Sequence, residues 1–313
     1  AYVGNVGRHL LQRRSINATR YGANFLPSSI DTTVTGNRPL PTNFLRPIKG
    51  FGDIQYIEFA SNSNYHSLQT QVNRRFGKDL TFGAVWTWSK VLDLVDGNNN
   101  AVNPFLDFRT RNYGKAGFDR THNAAFHFMY SLPQLSRRWS NGVARRGLDG
   151  WELSGATTLL SGSPLGFGVG YVQSVDITGA SGAGIDQRVD LAGNPNLSKN
   201  ERTELRHFRT DVVRMPSASG FGIGSAAKDL IRGPGINNWS LSLLKNFRRG
   251  RSEARRLQFR WETYNTFNHT QFTGVDTGTR FDVNTGVQTN GRFGQYTASG
   301  DARRMVLALK FYW

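Results

Sequence analysis

Apolar and polar residues alternate with a period of two through much of this chain. No 3.6-residue apolar period is sustained over a helix length. In Leu80–Ser89 one parity reads Leu80, Phe82, Ala84, Trp86 and Trp88, and the other Thr81, Gly83, Val85, Thr87 and Ser89. In Trp239–Phe247 the faces are Trp239, Leu241, Leu243, Lys245, Phe247 and Ser240, Ser242, Leu244, Asn246. Leu257, Phe259, Trp261, Thr263 and Phe267 oppose Gln258, Arg260, Glu262 and Tyr264. At the end of the chain Met305, Leu307, Leu309, Phe311 and Trp313 alternate with Arg304, Val306, Ala308, Lys310 and Tyr312. Residues Thr121–Leu132 and Trp151–Leu160 behave alike. Each stretch predicts a strand with one apolar face and one mixed or polar face.

The spacers fall into two kinds. Phe76–Asp79 and Arg248–Arg255 are short and polar, and Pro133–Gly150 is intermediate. Residues 8–52, 93–119, 162–235 and 270–301 are long and rich in Gly, Asn, Asp and Ser. Counting back from the C-terminus, strands over Arg303–Trp313, Leu257–His269, Ile236–Phe247, Trp151–Ser161, Thr121–Leu132 and Leu80–Leu92 put every long spacer at one end. Asp53–Arg75 then reads as one long strand with an irregularity near Ser61–Asn64, or a further strand is hidden in 8–52. With the first choice and Ala1–Gly7, the number is eight. The expected fold is all-β: an antiparallel transmembrane β-barrel segment, about eight strands of a larger barrel, with long extracellular loops and short periplasmic turns. A soluble sandwich explains the alternation strand by strand but not the one-sided sorting of loop lengths.

Composition agrees. The chain of 313 residues has no cysteine, which excludes disulfide scaffolds, thiolate metal sites and thiol nucleophiles. Mean hydropathy is −0.47, and no run approaches the ~18 apolar residues of a spanning helix. Barrel strands are short and half polar, so this leaves a barrel open. The start, Ala1-Tyr2-Val3-Gly4, reads as though inside a strand, without a basic or apolar leader, and predicts a piece of a longer chain.

Particular stretches carry a family resemblance. They are Tyr2–Leu10, Ser63–Phe76, Leu80–Lys90, Phe118–His122, Gly150–Gly155, Ser161–Pro164, Arg232–Phe247, Leu257–His269 and the terminal strand. In order and spacing the chain resembles the C-terminal barrel portion of TonB-dependent-receptor-like outer-membrane proteins, in particular the Oar-like group with an N-terminal carboxypeptidase-regulatory-type domain. The resemblance spans nearly the whole chain, 1–313. It implies a location in the bacterial outer membrane, and a plug, N-terminal domain and TonB-engaging box that this sequence does not contain. It also implies a barrel of about 22 strands. The implied activity is uptake of a bulky or scarce solute. The alternative is a surface barrel for structure, adhesion or export without active uptake.

Candidate residues follow. Met305, Leu307, Leu309, Phe311 and Trp313 form the alternating, aromatic-ended pattern that the barrel-assembly machinery reads by strand pairing. Trp86, Trp88, Trp239 and Trp261 are candidate interfacial aromatics, and Gln258, Arg260 and Glu262 candidate lumen-facing groups. The expected partners are outer-membrane lipid, the assembly machinery, TonB through the absent N-terminal region, and a solute whose identity the loops hold.

Other chemistry is weak. The net charge of +17 invites a nucleic-acid reading. Lys49–Tyr56 imitates an RNA-recognition octamer, but Asp53 stands where an aromatic would stack; a Gly-rich approach to a strand explains it, and no nucleic-acid partner is expected. Gly166–Gly170 and Gly220–Gly224 lead into no helix and lack a following Lys-Ser/Thr, so they read as flexible loop rather than nucleotide sites. His122 and His127, five apart, point to opposite faces of a strand. No catalytic constellation, metal site or cofactor is expected, and the chain is not expected to be an enzyme.

Overall fold

The computed structural model describes residues 1–98, 100–138, 142–248 and 256–312. Eight long strands dominate it: β1 Tyr2–Ser15, β2 Gln55–Phe76, β3 Leu80–Asp93, β4 His122–Ser131, β5 Trp151–Leu160, β6 Ile236–Arg248, β7 Arg256–Tyr264 and β8 Arg304–Tyr312. Each pairs antiparallel with its neighbours in the chain, in one continuous sheet whose long strands run from β8 to β1. Among the described residues the sheet does not close: β1 and β8 are not paired with each other. Two-residue strands extend it at the long-loop end. Ala101–Val102 pairs parallel with Arg13 and Arg14 of β1, and Gly114–Lys115 pairs with the end of β3.

Two boundaries differ from the sequence reading. β1 runs on to Ser15 instead of ending near Gly7. Its alternation is broken by register shifts between Gly7 and Leu10 and between Leu10 and Gln12, with His9 at φ 52°. Gly7 faces Ser63, Leu10 faces Ser61 and Gln12 faces Glu58, so one extra residue in β1 is followed by one in β2 and the register recovers. The irregularity expected near Ser61–Asn64 is this pair of bulges, and β2 is one strand of 22 residues. β7 stops at Tyr264 rather than His269, because Asn265 and Asn268 take positive φ.

The connections at one end are the shorter ones. Gly77 turns β2 into β3 at φ 57°, and a Cβ there would meet nothing within 4 Å, so its conformational freedom alone accounts for it. β4 and β5 are joined by a 3₁₀ turn, Leu135–Arg138, and a helix, Gly142–Leu148. The short connection expected over Arg248–Arg255 lies, beyond Arg248, outside the described residues.

At the other end the long connections pack into a cap with the molecule's main apolar core: Tyr171, Ile177, Val189, Phe208, Phe281 and Phe293, with Phe167 and Val169 against it. The glycine-rich stretches read as flexible loop are built into this cap. Gly168 bridges Gly278, Phe167 meets the Phe208 ring edge-on at 5.1 Å, and a side chain at Gly224 would strike the Arg188 carbonyl. The sheet below has the opposite character. Leu307, Leu309 and Phe311 are 70%, 69% and 62% exposed.

Candidate functional site

Register assigns every wall residue to one of two faces. Leu257, Phe259, Trp261 and Thr263 of β7 align with Phe247, Lys245, Leu243 and Leu241 of β6, and with Phe311, Leu309, Leu307 and Met305 of β8. The same face continues through Leu153 of β5, Tyr130 of β4 and Leu80 of β3 to Phe76 of β2. Along β3 it presents Leu80, Phe82, Ala84, Trp86 and Trp88 before reaching Lys90. From Leu80 to Lys90 the strand covers about 33 Å. At a tilt of about 40° this is about 25 Å of height, the apolar band of a membrane barrel. Holding Leu307, Leu309 and Phe311 against water forgoes about 1.5–3 kcal/mol each, so this face calls for an apolar phase.

The described tryptophans all lie on this face. Trp86 stacks on His122 with ring centroids 5.9 Å apart, and its Nε1–H donates to His122 Nδ1 at 3.3 Å. Trp88 is two residues nearer the cap. Trp239 meets Phe267 edge-on at 5.9 Å and donates from Nε1 to Asn237 at 3.0 Å. Trp261 sits in the middle of β7, between Leu243 and Leu307. Met305, Leu307, Leu309 and Phe311 share the face and line the sheet's open β8 edge. Trp313 lies outside the described residues.

The opposite face is polar and fine-grained. It carries Gln69, Gln71 and Asn73 on β2, Thr81, Thr87 and Ser89 on β3, Ser154 and Thr158 on β5, and Ser240 and Ser242 on β6. Gln258, Arg260 and Glu262 lie here together. Gln258 Nε2 donates to Asn246 Oδ1 at 3.0 Å, and Arg260 pairs with Glu262 at 2.7 Å. Leu244 and Ala308 flank Arg260 in register, and the guanidinium runs along its own strand to Glu262. His127 is on this face and His122 on the other, as their spacing requires. A Cβ at Gly83 would lie 2.4 Å from the His127 ring and 2.5 Å from Asn73 Oδ1, so glycine lets these two side chains lie across the strand.

The cap closes over the long-loop end through charged joints between segments far apart in sequence. Asp186 is the main one. Its carboxylate accepts from Arg111 Nε at 3.0 Å, Arg188 Nε at 3.1 Å and Asn103 Nδ2 at 2.9 Å. Asn103 also donates to the Tyr21 hydroxyl at 2.7 Å, so three loops meet at one side chain. Arg111 fixes the joint further by donating to the Ile223 carbonyl at 2.6 Å. Burial lowers the Arg188 pKa from its usual value, opposed by the Asp186 charge. Arg232 pairs with fully buried Asp119, and Lys228 pairs with Asp93 at 2.6 Å and Asp96 at 3.0 Å.

Within the cap His207 is 1% exposed. Its Nε2 lies 2.6 Å from the Arg232 carbonyl, which can only accept, so Nε2 carries the proton. Nδ1 then accepts from the Tyr296 hydroxyl at 2.8 Å. Burial lowers the His207 pKa, with the Arg232 carbonyl opposing.

A cleft of about 580 Å³ opens on the cap between Gly170–Tyr171, Gly278–Arg280 and Thr289–Gly291. Burial, with Asp176 adding to it, raises the Tyr171 hydroxyl to about 12. Among the described residues no group of three or more His, Asp or Glu is placed to hold a metal ion. Sequence reasoning did not find the cap joints. Arg111 and Asp186 are 75 residues apart and Arg232 and Asp119 are 113 apart, with no local pattern to mark them.

A family model described as an outer membrane beta barrel domain matches residues 1–306. No curated protein and no solved structure matches the chain.

Proposed function

Because the chain belongs to the outer membrane β-barrel domain family and sits in the bacterial outer membrane, we propose that it is the C-terminal wall of a larger TonB-dependent-receptor-like barrel. The whole protein takes up a bulky or scarce solute. The observation that carries this reading is the open sheet: eight antiparallel strands with one apolar and one polar face, ending on β1 and β8 edges that do not pair with each other. Unpaired strand edges are not tolerated in hydrocarbon, so further strands must cover them.

In this reading the apolar face meets lipid and the polar face lines the lumen, where Gln258, Arg260 and Glu262 present donors and acceptors to a passing solute. The short connections face the periplasm and the cap faces outward. β8 is the strand the assembly machinery recognises, by pairing with its edge and reading Met305, Leu307, Leu309 and Phe311. TonB acts through the N-terminal region of the whole protein, not through this wall. The wall supplies shape, hydrogen bonds and charge, and no bond-making chemistry.

The test is retention of the detergent-solubilised whole protein on immobilised TonB periplasmic domain. Retention that is abolished by deleting the N-terminal box supports uptake. A barrel that never binds TonB supports the adhesion or export role.

A further inference from the structure

We propose that the connection between β4 and β5 is a membrane-surface anchor that binds anionic phospholipid headgroups of the periplasmic leaflet. The proposal rests on the orientation given above.

Barrel turns at this end are ordinarily short. This one runs from Leu132 to Gly150 and carries four arginines, Arg137, Arg138, Arg145 and Arg146, against the single acid Asp149. That acid is already engaged. Its two oxygens accept from the Ser136 backbone N–H at 3.0 Å and the Ser136 hydroxyl at 2.6 Å, which ties one end of the connection to the other. These hydrogen bonds hold the Asp149 carboxyl below its usual range. It therefore stays anionic and committed to Ser136 at neutral pH. The described arginines Arg137, Arg145 and Arg146 are exposed, and no ion pair is formed by them among the described residues.

The same segment exposes apolar side chains: Val143 at 74% and Leu135 at 48%. A short polar turn in water gains nothing from either. Cations beside exposed aliphatic groups at a bilayer edge form the pattern of an interfacial segment, in which the apolar groups enter the headgroup boundary and the guanidinium groups meet phosphates.

The segment is also held in place. Trp151 Nε1–H donates to the Gly147 carbonyl at 3.0 Å. Lys245, 1% exposed, reaches the same carbonyl at 3.1 Å and lies 5.2 Å over the Trp151 ring. The connection is thereby fastened to the periplasmic end of β5 and β6, beside the apolar face. The neighbouring β2–β3 end adds to the field, with Arg74, Arg75 and Lys78 against Asp79.

This chain has no cysteine, so one introduced cysteine is a single probe once any cysteine elsewhere in the whole protein is replaced by serine. Val143→Cys is introduced into the whole protein and spin-labelled, and the protein is reconstituted into phosphatidylethanolamine–phosphatidylglycerol vesicles and into phosphatidylcholine vesicles. Label depth is read from its relative accessibility to oxygen and to a water-soluble nickel chelate. The expected result is a label at the headgroup boundary in the anionic vesicles that moves toward water in phosphatidylcholine or at high salt. Arg137→Gln, Arg145→Gln and Arg146→Gln should each shift the balance toward water about fivefold. The heat shift of the barrel on gels reports that each variant is folded. A label equally open to the nickel chelate in both lipids, unaffected by the glutamine variants, overturns the anchor. Orientation is read separately. If a membrane-impermeant maleimide labels Val143→Cys on intact cells, the segment is outside and the orientation itself is wrong. Labelling only after the outer membrane is opened keeps the orientation and leaves the lipid result to decide.

Discussion

Replacing Phe208 by alanine should unlatch the cap while leaving the wall intact. Phe208 is 1% exposed. It meets Phe167 and Phe293 edge-on, each with ring centroids 5.1 Å apart, and His207 at 6.4 Å. These contacts join the connection between β5 and β6 to the one between β7 and β8. A buried Phe→Ala change costs about 3–5 kcal/mol, because the lost transfer energy is compounded by the cavity left behind. Taking about 4 kcal/mol, the open cap becomes about a thousandfold more populated. Arg206 and Arg209 flank the site and give trypsin its targets once the cap opens. The assay is limited trypsin digestion of outer-membrane vesicles, with the barrel's heat shift on gels as the wall control. Cleavage near Arg209 should accelerate by orders of magnitude while the heat shift persists. Val287→Ala, at a side chain 58% exposed, should change cleavage little. Unchanged cleavage in Phe208→Ala would refute the idea that this core holds the loops together. Loss of the heat shift would refute the separation of cap from wall.

Three further outcomes follow from the same structure. Arg111→Ala removes the guanidinium that joins Asp186 to the Ile223 carbonyl. It should destabilise the cap by about 2–3 kcal/mol, less than a fully buried pair because Asp186 keeps 34% of its side chain exposed; hydrogen exchange in the cap measures it. His207 has a lowered folded-state pKa, so below the ordinary value of 6.5 the unfolded segment takes up a proton that the folded cap refuses. Cap stability is therefore full above that pH and falls as pH drops through and below it, and exchange rates at pH 7.5 and 5.5 should show this slope in the wild type and not in His207→Gln. On β8, Leu309→Arg places a charge on the apolar face and should cost about 2–4 kcal/mol if deep in the band. Ala308→Arg places one on the polar face and should cost far less. The heat-shifted fraction of each variant checks the assignment of the faces.

The wall was legible and the cap was not, for physical reasons. A strand half in lipid and half in a polar lumen must alternate, and Leu80–Trp88 or Met305–Phe311 shows this without any knowledge of a partner strand. The sequence reading was least accurate where the alternation breaks. β1 passes through its bulges at His9 to Ser15, and β7 ends where Asn265 enters a left-handed turn. Gln258, Arg260 and Glu262 could be placed on one face because parity decides faces. Their reach to Asn246, or to each other, could not be read. The cap has no period at all. Asp186 gathers Arg111, Arg188 and Asn103 from two loops, and an aspartate in a Gly-Ile-Asp-Gln stretch looks like any other loop residue. Gly166–Gly170 looked flexible for the same reason: glycine permits close backbone approach as readily as freedom, and Gly168 against Gly278 is the former.

Both the proposed uptake role and the lipid anchor require this sheet to be part of a larger closed barrel. An immunoblot of outer-membrane fractions with an antibody to Arg232–Phe247, run with and without boiling, tests that directly. The expected result is a heat-shifted outer-membrane band far above 35.0 kDa, the mass of this chain. An unshifted band near 35.0 kDa in the soluble fraction would contradict it.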